Sequence, residues 1–309
     1  MTFLAIVGPT ASGKTSLSLA VAKHLDVEII SMDSRQIYRG MDVGTGKVTE
    51  EERDRVPHFG LDIRDPDQGY SAGQFSRDAR KWIEEISARG RVPLLVGGTG
   101  FFLKALVEPM FAEPPLEARR VENLRKFLNT LSSESLVRYR AHLDPERPDL
   151  RDDGGRHRST RALEIALLTG RPLSWWHREG APSEEPLDGM VVVVDLPRDL
   201  LYDRINRRVG GMVREGLVEE VQGLLAGGYG PGDPGMTGAG YREIVAHLRG
   251  ECSLEEATEL IRQAHRRYAR RQVTWNRHQL PEGAVVLDGT LEEETLVQSI
   301  LAAWRERAE

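Results

Sequence analysis

A glycine-rich octapeptide near the start of the chain has the residue types and spacing that hold a phosphate group. It reads GPTASGKT and matches the pattern G-x-x-x-x-G-K-[ST], in which glycines let backbone N–H groups turn toward one anion. Lys14 adds a positive charge, and the Thr15 hydroxyl suits a Mg²⁺ ion that bridges phosphate oxygens. The pattern predicts a diphosphate site without identifying the molecule that carries the diphosphate. The candidate ligands are Gly8, Pro9, Thr10, Ala11, Ser12, Gly13, Lys14 and Thr15.

Three further residues are spaced so that they could join this loop. Asp33 follows one apolar run and Thr99 follows another, and the carboxyl ends of parallel strands meet at one edge of a sheet. Arg208 shares a helix face with Arg204, four residues earlier, so the two guanidinium groups could bind diphosphate oxygens together with the loop. A solvated helix face explains the two arginines equally well, and an aspartate after a strand is more often a helix cap.

The apolar run that ends before Thr99 also bears on the type of reaction. In ATPases and kinases with this kind of loop, an acid at the end of a later buried strand holds magnesium. Here the run at 93–96 leads into Gly97-Gly98-Thr99-Gly100, which contains no carboxylate. The sequence therefore argues against an ordinary ATPase or kinase.

Buried strands and helices must alternate to position these residues. Ser16–Leu25 and Ser76–Ala88 are predicted helices between apolar runs. Runs that are apolar on both faces are typical of parallel strands, so the alternation predicts an α/β fold with a P-loop-type parallel sheet flanked by helices. The predicted strands are Phe3–Val7, Val27–Ile30, Leu61–Ile63, Pro93–Val96 and Met190–Val194.

The alternation stops between residues 111 and 188, where apolar residues fall at helical spacing. We therefore predict a core domain of residues 1–110 and 189–309, interrupted by a helical insertion domain of residues 111–188. Gly227–Gly240 is predicted to be a flexible surface loop because it is so rich in glycine. Ser253 and Glu256 form a predicted capping box that starts a helix running through Trp275.

Composition limits the class of protein. The chain has 309 residues, of which 39% are hydrophobic and 29% charged, as in ordinary globular proteins. The net charge of −6 gives no global sign of nucleic-acid binding, so any such surface must be local. Cys252 is the one cysteine and cannot form an internal disulfide. With no signal peptide and no apolar run that could span a bilayer, we expect a cytoplasmic protein without a membrane partner.

A local basic surface is predicted near the C-terminal end. Between Leu260 and Leu280 there is no acidic residue, and Tyr268 and Trp275 lie among the basic ones as possible stacking surfaces. A stripe of one charge sign on an acidic protein is typical of a polyanion-binding face. The basic residues are Arg262, His265, Arg266, Arg267, Arg270, Arg271, Arg277 and His278 in this run, and Arg156, His157, Arg158 and Arg161 in the insertion.

The chain resembles the bacterial tRNA dimethylallyltransferases, the tRNA isopentenyltransferase family. It departs from the family pattern at Gly46, where alanine is usual, at Phe102, where tyrosine is common, and at Asn276, where an aromatic residue is frequent. The resemblance lies in ordered segments that span most of the chain: GPTASGKT (Gly8–Thr15), DSRQIYRGMDVGTGK (Asp33–Lys47), PHFGLDI (Pro57–Ile63), YSAGQF (Tyr70–Phe75), PLLVGGTGFFLKAL (Pro93–Leu106), GYRE (Gly240–Glu243) and RRQVTWNR (Arg270–Arg277).

The resemblance implies transfer of a dimethylallyl group from dimethylallyl diphosphate to the exocyclic amine of the adenosine 3′ of the anticodon. By this match, Asp33 accepts the amine proton and Thr99 positions the amine. Arg208 then joins Lys14, and Mg²⁺ on Thr15, in stabilising the departing diphosphate. The implied partner is the tRNA anticodon stem-loop, and we expect a monomer.

The same match implies a set of tRNA-binding residues spread over both domains. They are Ser34, Arg35, Gln36, Arg119, His157, Arg158, Arg161, the segment Thr237–Arg242 with Gly240, Tyr241 and Arg242, and Arg270, Arg271, Gln272, Trp275 and Arg277.

Two other functions fit part of the pattern. A transferase that prenylates free adenine nucleotides would need neither the arginine-rich run nor the helical insertion. A phosphate-loop kinase or NTP-driven switch would need the acid that is missing after the run at 93–96.

Overall fold

The computed structural model describes residues 2–108, 111–112, 114, 116–146, 155–182 and 184–308. The chain divides into two compact units, residues 1–108 with 187–309, and residues 109–186. The sequence had placed the boundaries at 110 and 189. In the first unit, the Leu187 amide donates to the Leu106 carbonyl oxygen at 3.0 Å, so the chain leaves and re-enters this unit at neighbouring points.

A parallel sheet forms the centre of the first unit, as the apolar runs predicted. Every strand pair in the described residues is parallel, in the order β3-β2-β4-β1-β5-β6. The carboxyl ends of β1, β4 and β2 are therefore neighbours at one edge. The strands are β1 (Phe3–Val7), β2 (Val27–Ser31), β3 (His58–Phe59), β4 (Val92–Gly97), β5 (Gly189–Asp195) and β6 (Val285–Asp288).

Two details of the sheet differ from the prediction. The third strand is only His58–Phe59, and the segment Leu61–Ile63 that was expected to form it lies beyond its end. Asp62 has φ 55°, a left-handed conformation that breaks a pleated ladder. The sequence analysis also missed β6, a short edge strand that is only partly buried, although its residues Val285, Val286 and Leu287 are apolar.

Helices cover the sheet and build the second unit. They are α1 (Lys14–Val21), α2 (Glu50–Arg55), α3 (Ala72–Ala88), α4 (Gly100–Val107), α5 (Ala118–Thr130), α6 (Ser133–Leu143), α7 (Gly155–Thr169), α8 (Leu173–Glu179), α9 (Arg198–Arg214), α10 (Leu217–Ala226), α11 (Tyr241–Leu248), α12 (Leu254–Gln279) and α13 (Glu293–Ala308). Among the described residues, no helix combines the length and apolarity needed to cross a bilayer.

In the first unit, two apolar clusters hold α1 and α13, and α9 to α12, in place. One cluster joins α1 and α13 to the strands, with Leu17, Val21, Ile300 and the inward residues of β1 and β5. The other joins α9, α10, α11 and α12 around Ile205. Each fully buried side chain of this kind contributes roughly 1.5–3 kcal/mol to the free energy of unfolding. The second cluster holds α9 and α12 beside the carboxyl edge of the sheet.

The helix α12 begins as its sequence predicted. The Ser253 side chain accepts from the Glu256 amide, and Glu256 Oε2 accepts from the Ser253 amide, which completes the capping box. The helix runs for 26 residues to Gln279, one turn beyond the predicted end.

The glycine-rich segment Gly227–Gly240 is packed, so the prediction of a flexible surface loop was wrong. Met236 is fully buried. The Gly235 amide donates to the Pro66 carbonyl oxygen at 2.8 Å, and Arg35 Nη1 donates to the Pro234 carbonyl oxygen at 2.7 Å. Glycine here allows tight turns that bring the backbone against neighbouring segments, a use that composition alone does not distinguish from flexibility.

The second unit is helical, and described by itself it has a small core. Leu128, Leu136 and Leu163 pack together from α5, α6 and α7. Glu164 is buried and binds the guanidinium groups of Arg125 and Arg161.

Candidate active site

A cavity of about 420 Å³ lies at the carboxyl edge of the sheet, inside the first unit. The loops after β1, β4 and β2 form part of its wall, and α9 and α12 form the rest. Lys14, Asp33, Arg208, Tyr268 and Gln272 all line it. Of the residues predicted to converge, Lys14, Asp33 and Arg208 therefore share one cavity, and Thr99 contacts the lining residue Ser34 without lining the cavity itself.

The diphosphate loop has the backbone that its sequence requires. Gly13 has φ 94° and is the N-cap of α1, while Gly8 approaches β5 so closely that an added Cβ would lie 2.8 Å from the Val194 carbonyl oxygen. Within the described residues, the amides of Gly13, Lys14 and Thr15 find no acceptor. Free N–H groups at the start of a helix form an anion-binding concavity.

Two amides of this loop point elsewhere, contrary to the expectation that successive N–H groups turn inward. The Thr10 amide donates to Gln272 Oε1 at 2.8 Å, and the Ser12 amide donates to the Pro9 carbonyl oxygen at 3.2 Å. The anion site is therefore concentrated at residues 13–15 and the charged side chains beside them.

Three cationic side chains contact the diphosphate loop. Lys14 Nζ donates to the Pro9 carbonyl oxygen at 2.6 Å. From α9, Arg208 Nη1 donates to Thr10 Oγ1 at 3.1 Å, and Arg204 Nη1 donates to the Ser12 carbonyl oxygen at 3.4 Å. The two arginines thus share a loop-facing side of α9, which a solvated helix face would not require.

The cations in the cavity are poorly solvated. Burial and, to a smaller extent, the nearby Arg208 charge lower the pKa of Lys14 to about 7, and the Asp33 charge opposes both effects. Burial also lowers the pKa of Arg208, again opposed by Asp33. Positive charge that lacks solvent is stabilised strongly by an incoming anion, which would recover the lost interactions.

The loops after β2 and β4 bring Asp33 to the cavity and hold Thr99 next to residues that line it. Asp33 Oδ1 accepts from the Arg35 amide at 2.8 Å, so this aspartate caps a turn and also lines the cavity. Thr99 Oγ1 accepts from the Ser34 amide at 3.1 Å and shares a hydrogen bond with the Tyr268 hydroxyl. Burial and the Asp33 charge raise the pKa of Tyr268 to about 12. A carboxylate and two hydroxyls are thereby held by backbone and side-chain bonds.

The glycines before Thr99 explain why no acid follows β4. A Cβ at Gly97 would lie 2.1 Å from the Met32 carbonyl oxygen, so no larger residue fits at the end of this strand. A Cβ at Gly98 would lie 2.2 Å from Gln272 Nε2, and one at Gly100 would lie 2.2 Å from the Trp275 ring. The end of β2 and the helix α12 occupy the space that a metal-binding carboxylate would need.

The residues present fit a Mg²⁺ ion that arrives with the diphosphate. The Thr15 hydroxyl and the Asp33 carboxylate offer oxygen ligands to the cavity. The described residues contain no group of three or more His, Cys, Asp or Glu side chains that could hold a metal by itself. Mg²⁺ commonly keeps waters and substrate phosphate oxygens as most of its ligands.

Several predicted RNA contacts are held inside the protein. Arg35 binds the Pro234 carbonyl, and Gln36 Nε2 donates to the Gly46 carbonyl oxygen at 3.2 Å. The Tyr241 hydroxyl donates to Glu220 Oε1 at 2.6 Å. The side-chain amide of Gln272 accepts from the Thr10 amide and donates to the Gly98 carbonyl oxygen. Tyr241 and Gln272 are also buried, which corrects the expectation of a surface position.

The exposed basic face of α12 is smaller than its sequence predicted. Arg262 and Arg266 both bind Glu259, which lies just before the acid-free run. Arg266 also donates to Asn206 Oδ1 at 2.7 Å. The exposed face of α12, here called the α12 basic face, consists of Arg267, Arg270, Arg271 and Arg277.

The remaining predicted RNA contacts have mixed environments. Ser34 lines the cavity, and Trp275 packs against Gly100. Arg242 is exposed but binds Glu243, whose other oxygen accepts from the Gly240 amide at 2.8 Å. In the second unit, Arg119, His157 and Arg158 are exposed, Arg161 binds Glu164, and Arg156 binds the carbonyls that end α5.

Sequence reasoning missed the residues that hold the segment after Asp33. Glu220 accepts from the amides of Asp42, Val43 and Gly44, and Lys47 Nζ reaches the Tyr38 carbonyl and Asp62. Lys47 belongs to a segment of family resemblance and could have been suspected. Glu220 carries no local signal, since its partners lie far away in the sequence.

Comparisons of the sequence and the fold with known proteins identify the family. A family model described as IPP transferase matches residues 36–279. The tRNA dimethylallyltransferase of Geobacter metallireducens is 44% identical over 276 residues, which cover 88% of each chain. Among solved structures, the full-length tRNA isopentenylpyrophosphate transferase of Bacillus halodurans is 37% identical with a TM-score of 0.70, and covers 97% of this chain and 94% of its own. A eukaryotic dimethylallyltransferase acting on tRNA is 25% identical with a TM-score of 0.78, covering 93% of this chain and 73% of its own. The chain therefore belongs to the IPP transferase family.

Proposed function

We propose that this chain transfers a dimethylallyl group from dimethylallyl diphosphate to the exocyclic amine of the adenosine 3′ of the anticodon in tRNA. The observation that carries the proposal is one cavity lined both by the desolvated cations Lys14 and Arg208 and by the carboxylate Asp33. Thr99 is bonded to Ser34, which also lines this cavity. Relatives that are named as tRNA dimethylallyltransferases support the same chemistry.

The diphosphate wall is suited to a leaving group. As the allylic C–O bond breaks, negative charge grows on the diphosphate and positive charge on the five-carbon group. The free amides of residues 13–15, Lys14 and Arg208 stabilise the anion in a poorly solvated space, where such interactions are strong. A Mg²⁺ ion held by the Thr15 hydroxyl and the diphosphate oxygens would supply further positive charge.

The part of the cavity formed by the loops after β2 and β4 is suited to the adenine that accepts the dimethylallyl group. The adenine amine is a weak nucleophile because its lone pair is delocalised into the ring. Asp33 accepts the amine proton as the N–C bond forms, and Thr99 orients the amine from its fixed position. The products are the prenylated adenosine and diphosphate, with the proton on Asp33. The adenine must leave its loop stack, which costs little in a single-stranded loop.

The exposed basic residues are proposed to bind the anticodon stem-loop. The α12 basic face lies beside the cavity, since Arg267 and Arg271 also line it. Within the second unit, the exposed residues Arg119, His157 and Arg158 are also proposed to bind tRNA. We further propose that the protein acts as a monomer and in the cytoplasm.

The two alternatives receive less support. A kinase or NTP-driven switch would need a magnesium-binding acid after β4. This chain has none there, and the close packing at Gly97 leaves no room for one. A transferase for free nucleotides would have no need of the α12 basic face, and the relatives that match over most of the chain are named for tRNA.

The product of the reaction tests the proposal. Purified protein, Mg²⁺, dimethylallyl diphosphate and unmodified tRNA should yield an adenosine heavier by one C₅H₈ group at the position 3′ of the anticodon, detected by nucleoside mass spectrometry. Parallel reactions contain AMP or ATP in place of tRNA. Phosphate release from ATP without prenylated RNA, or prenylation of AMP in preference to tRNA, would contradict the proposal.

A further inference from the structure

One buried glutamine touches both walls of the cavity. Gln272 lies in α12, is 6% exposed, and accepts from the Thr10 amide through Oε1 at 2.8 Å. Its Nε2 donates to the Gly98 carbonyl oxygen, also at 2.8 Å. Thr10 belongs to the diphosphate loop, and Gly98 directly precedes Thr99. A single side-chain amide thus joins the donor wall to the acceptor wall.

This contact requires an amide at position 272. The amide group has an acceptor for the Thr10 N–H and a donor for the Gly98 carbonyl, whereas an ionised carboxylate has acceptors only. The fit is close on both sides, because a Cβ at Gly98 would lie 2.2 Å from Nε2. Thr10 is also fixed from α9, since its hydroxyl accepts from Arg208 at 3.1 Å.

Neighbouring residues of α12 contact the same loops. Tyr268, one turn earlier, shares a hydrogen bond with Thr99. Trp275, one turn later, packs against Gly100. Arg271, beside Gln272 in the sequence, is exposed on the α12 basic face. One helix therefore carries proposed RNA contacts on its exposed side and fixes both reactive loops with its buried side.

We propose that Gln272 is a positioning residue, which holds the diphosphate loop against the Thr99 loop so that the breaking C–O bond and the attacking amine stay aligned. It is not an RNA ligand, although the family resemblance had suggested that role. This inference rests on the proposed function, and a misplacement of reacting groups by about 1 Å can lower a rate by about 100-fold.

The first test removes the amide and keeps the length of the side chain. In the full-length protein, Gln272→Met should lower kcat by about 10- to 100-fold and leave the Kd for tRNA within about twofold of wild type. Arg271→Gln should instead weaken tRNA binding. Gln263→Met, which makes the same exchange elsewhere on α12, serves as the control for the substitution itself. A wild-type kcat for Gln272→Met, or a loss confined to tRNA affinity, would overturn the inference.

The second test uses Gln272→Glu, in which protonation of the new carboxyl group should restore the hydrogen bonds to Thr10 and Gly98. A protonated carboxyl group at position 272 has one acceptor and one donor, as the amide does, whereas the ionised form places an acceptor against the Gly98 carbonyl. The activity of Gln272→Glu relative to wild type should therefore rise as the pH falls. The relative activity of Gln272→Met should not. A flat or falling ratio for Gln272→Glu would contradict the assignment, and this series decides the matter if Gln272→Met does not fold.

A third measurement separates this inference from the proposed function. Inorganic pyrophosphate with Mg²⁺, titrated without RNA, should bind Gln272→Met several-fold more weakly than wild type, because the Thr10 amide loses its anchor. This result is expected whether or not tRNA is prenylated. A wild-type protein that makes no prenylated tRNA would overturn the proposed function alone, whereas unchanged pyrophosphate affinity in the variant would overturn the role of Gln272.

Discussion

At the scale of single residues, two poorly solvated cations, Lys14 and Arg208, share one cavity with the carboxylate of Asp33. Burial and the Arg208 charge lower the pKa of Lys14 to about 7, so near neutral pH this side chain is only partly charged without an anion. An anion in the diphosphate loop favours the charged form and raises the pKa again. Proton binding and diphosphate binding are therefore linked at Lys14.

Diphosphate binding should take up a proton through Lys14. At about pH 8.5 the free side chain is mainly neutral and the bound one charged, so calorimetry in buffers of different ionisation enthalpy should show uptake of up to about one proton. At about pH 6 Lys14 is charged in both the free and the diphosphate-bound protein, so its contribution to the proton uptake should vanish. Lys14→Arg stays charged throughout and should lose the uptake at high pH. Equal uptake in that variant would assign the proton to another group.

Asp33 should matter for the rate more than for binding. Asp33→Asn keeps an oxygen that can accept from the Arg35 amide but removes the proton acceptor. We expect kcat to fall by about 100- to 10,000-fold, the usual contribution of a positioned general base, while the Kd for tRNA changes little. Single-turnover kinetics together with tRNA titrations would measure the two effects, and a wild-type rate would exclude this carboxylate from proton transfer.

His265 should make the folded protein sensitive to acid. Burial and the Arg208 charge lower its pKa to about 4. Between pH 6.5 and pH 4, His265 is protonated in the unfolded chain but mainly neutral in the folded chain. The free energy of unfolding therefore falls as the pH drops toward 4. The loss amounts to at most about 3 kcal/mol. Urea unfolding at neutral and acidic pH should show a smaller loss for His265→Gln, and an equal loss would refute this origin.

At the scale of elements, α12 separates two groups of arginines that look alike in the sequence. Arg262 and Arg266 are bound to Glu259, whereas Arg270 and Arg271 are exposed. Charges already paired within the protein contribute little to binding a polyanion. Burial of the opposite side of the helix decides which arginines face solvent, and Gln272 on that side holds the reactive loops.

Salt dependence of tRNA binding should distinguish the two groups. The double variant Arg270→Gln/Arg271→Gln should bind tRNA more weakly and flatten the slope of log Kd against log salt by about 1 to 2, because each phosphate contact releases counterions. The matched double variant Arg262→Gln/Arg266→Gln removes the same charge and should keep nearly the wild-type slope. Equal slopes in both variants would mean that total charge, not the exposed face, attracts the RNA.

At the scale of the whole molecule, the two units have separate cores, and the first unit contains the complete cavity. The chain leaves and re-enters the first unit at neighbouring residues, as the hydrogen bond between Leu187 and Leu106 shows. A short linker can therefore replace the second unit without stretching the core.

A chain with residues 109–186 replaced by a short Gly-Ser linker should still unfold cooperatively and bind Mg²⁺-pyrophosphate with near wild-type affinity. Its tRNA affinity should fall, because Arg119, His157 and Arg158 are removed. Thermal unfolding, calorimetry and tRNA titration check the three expectations. Full tRNA affinity in this variant would show that the second unit does not bind the RNA.

The sequence by itself determined the diphosphate loop, the parallel sheet, the helical character of the second unit and the capping box of α12. Each is encoded by neighbouring residues: glycines that allow a tight anion-binding turn, apolar runs, helical periodicity, and a serine spaced three residues from a glutamate. The family resemblance added candidate roles for Asp33 and Thr99, and the position of each after a predicted parallel strand indicated that the two would lie close together.

Only the tertiary structure decided which polar residues of these segments are bound to distant parts of the chain. Gln272, Tyr241 and Arg35 looked like surface contacts, yet their partners Thr10, Glu220 and Pro234 lie 262, 21 and 199 residues away in the sequence. Such pairings depend on how distant elements pack, and burial then forces each polar group to find a partner. No local pattern specifies that partner, which is why the role proposed for Gln272 emerged from the folded chain.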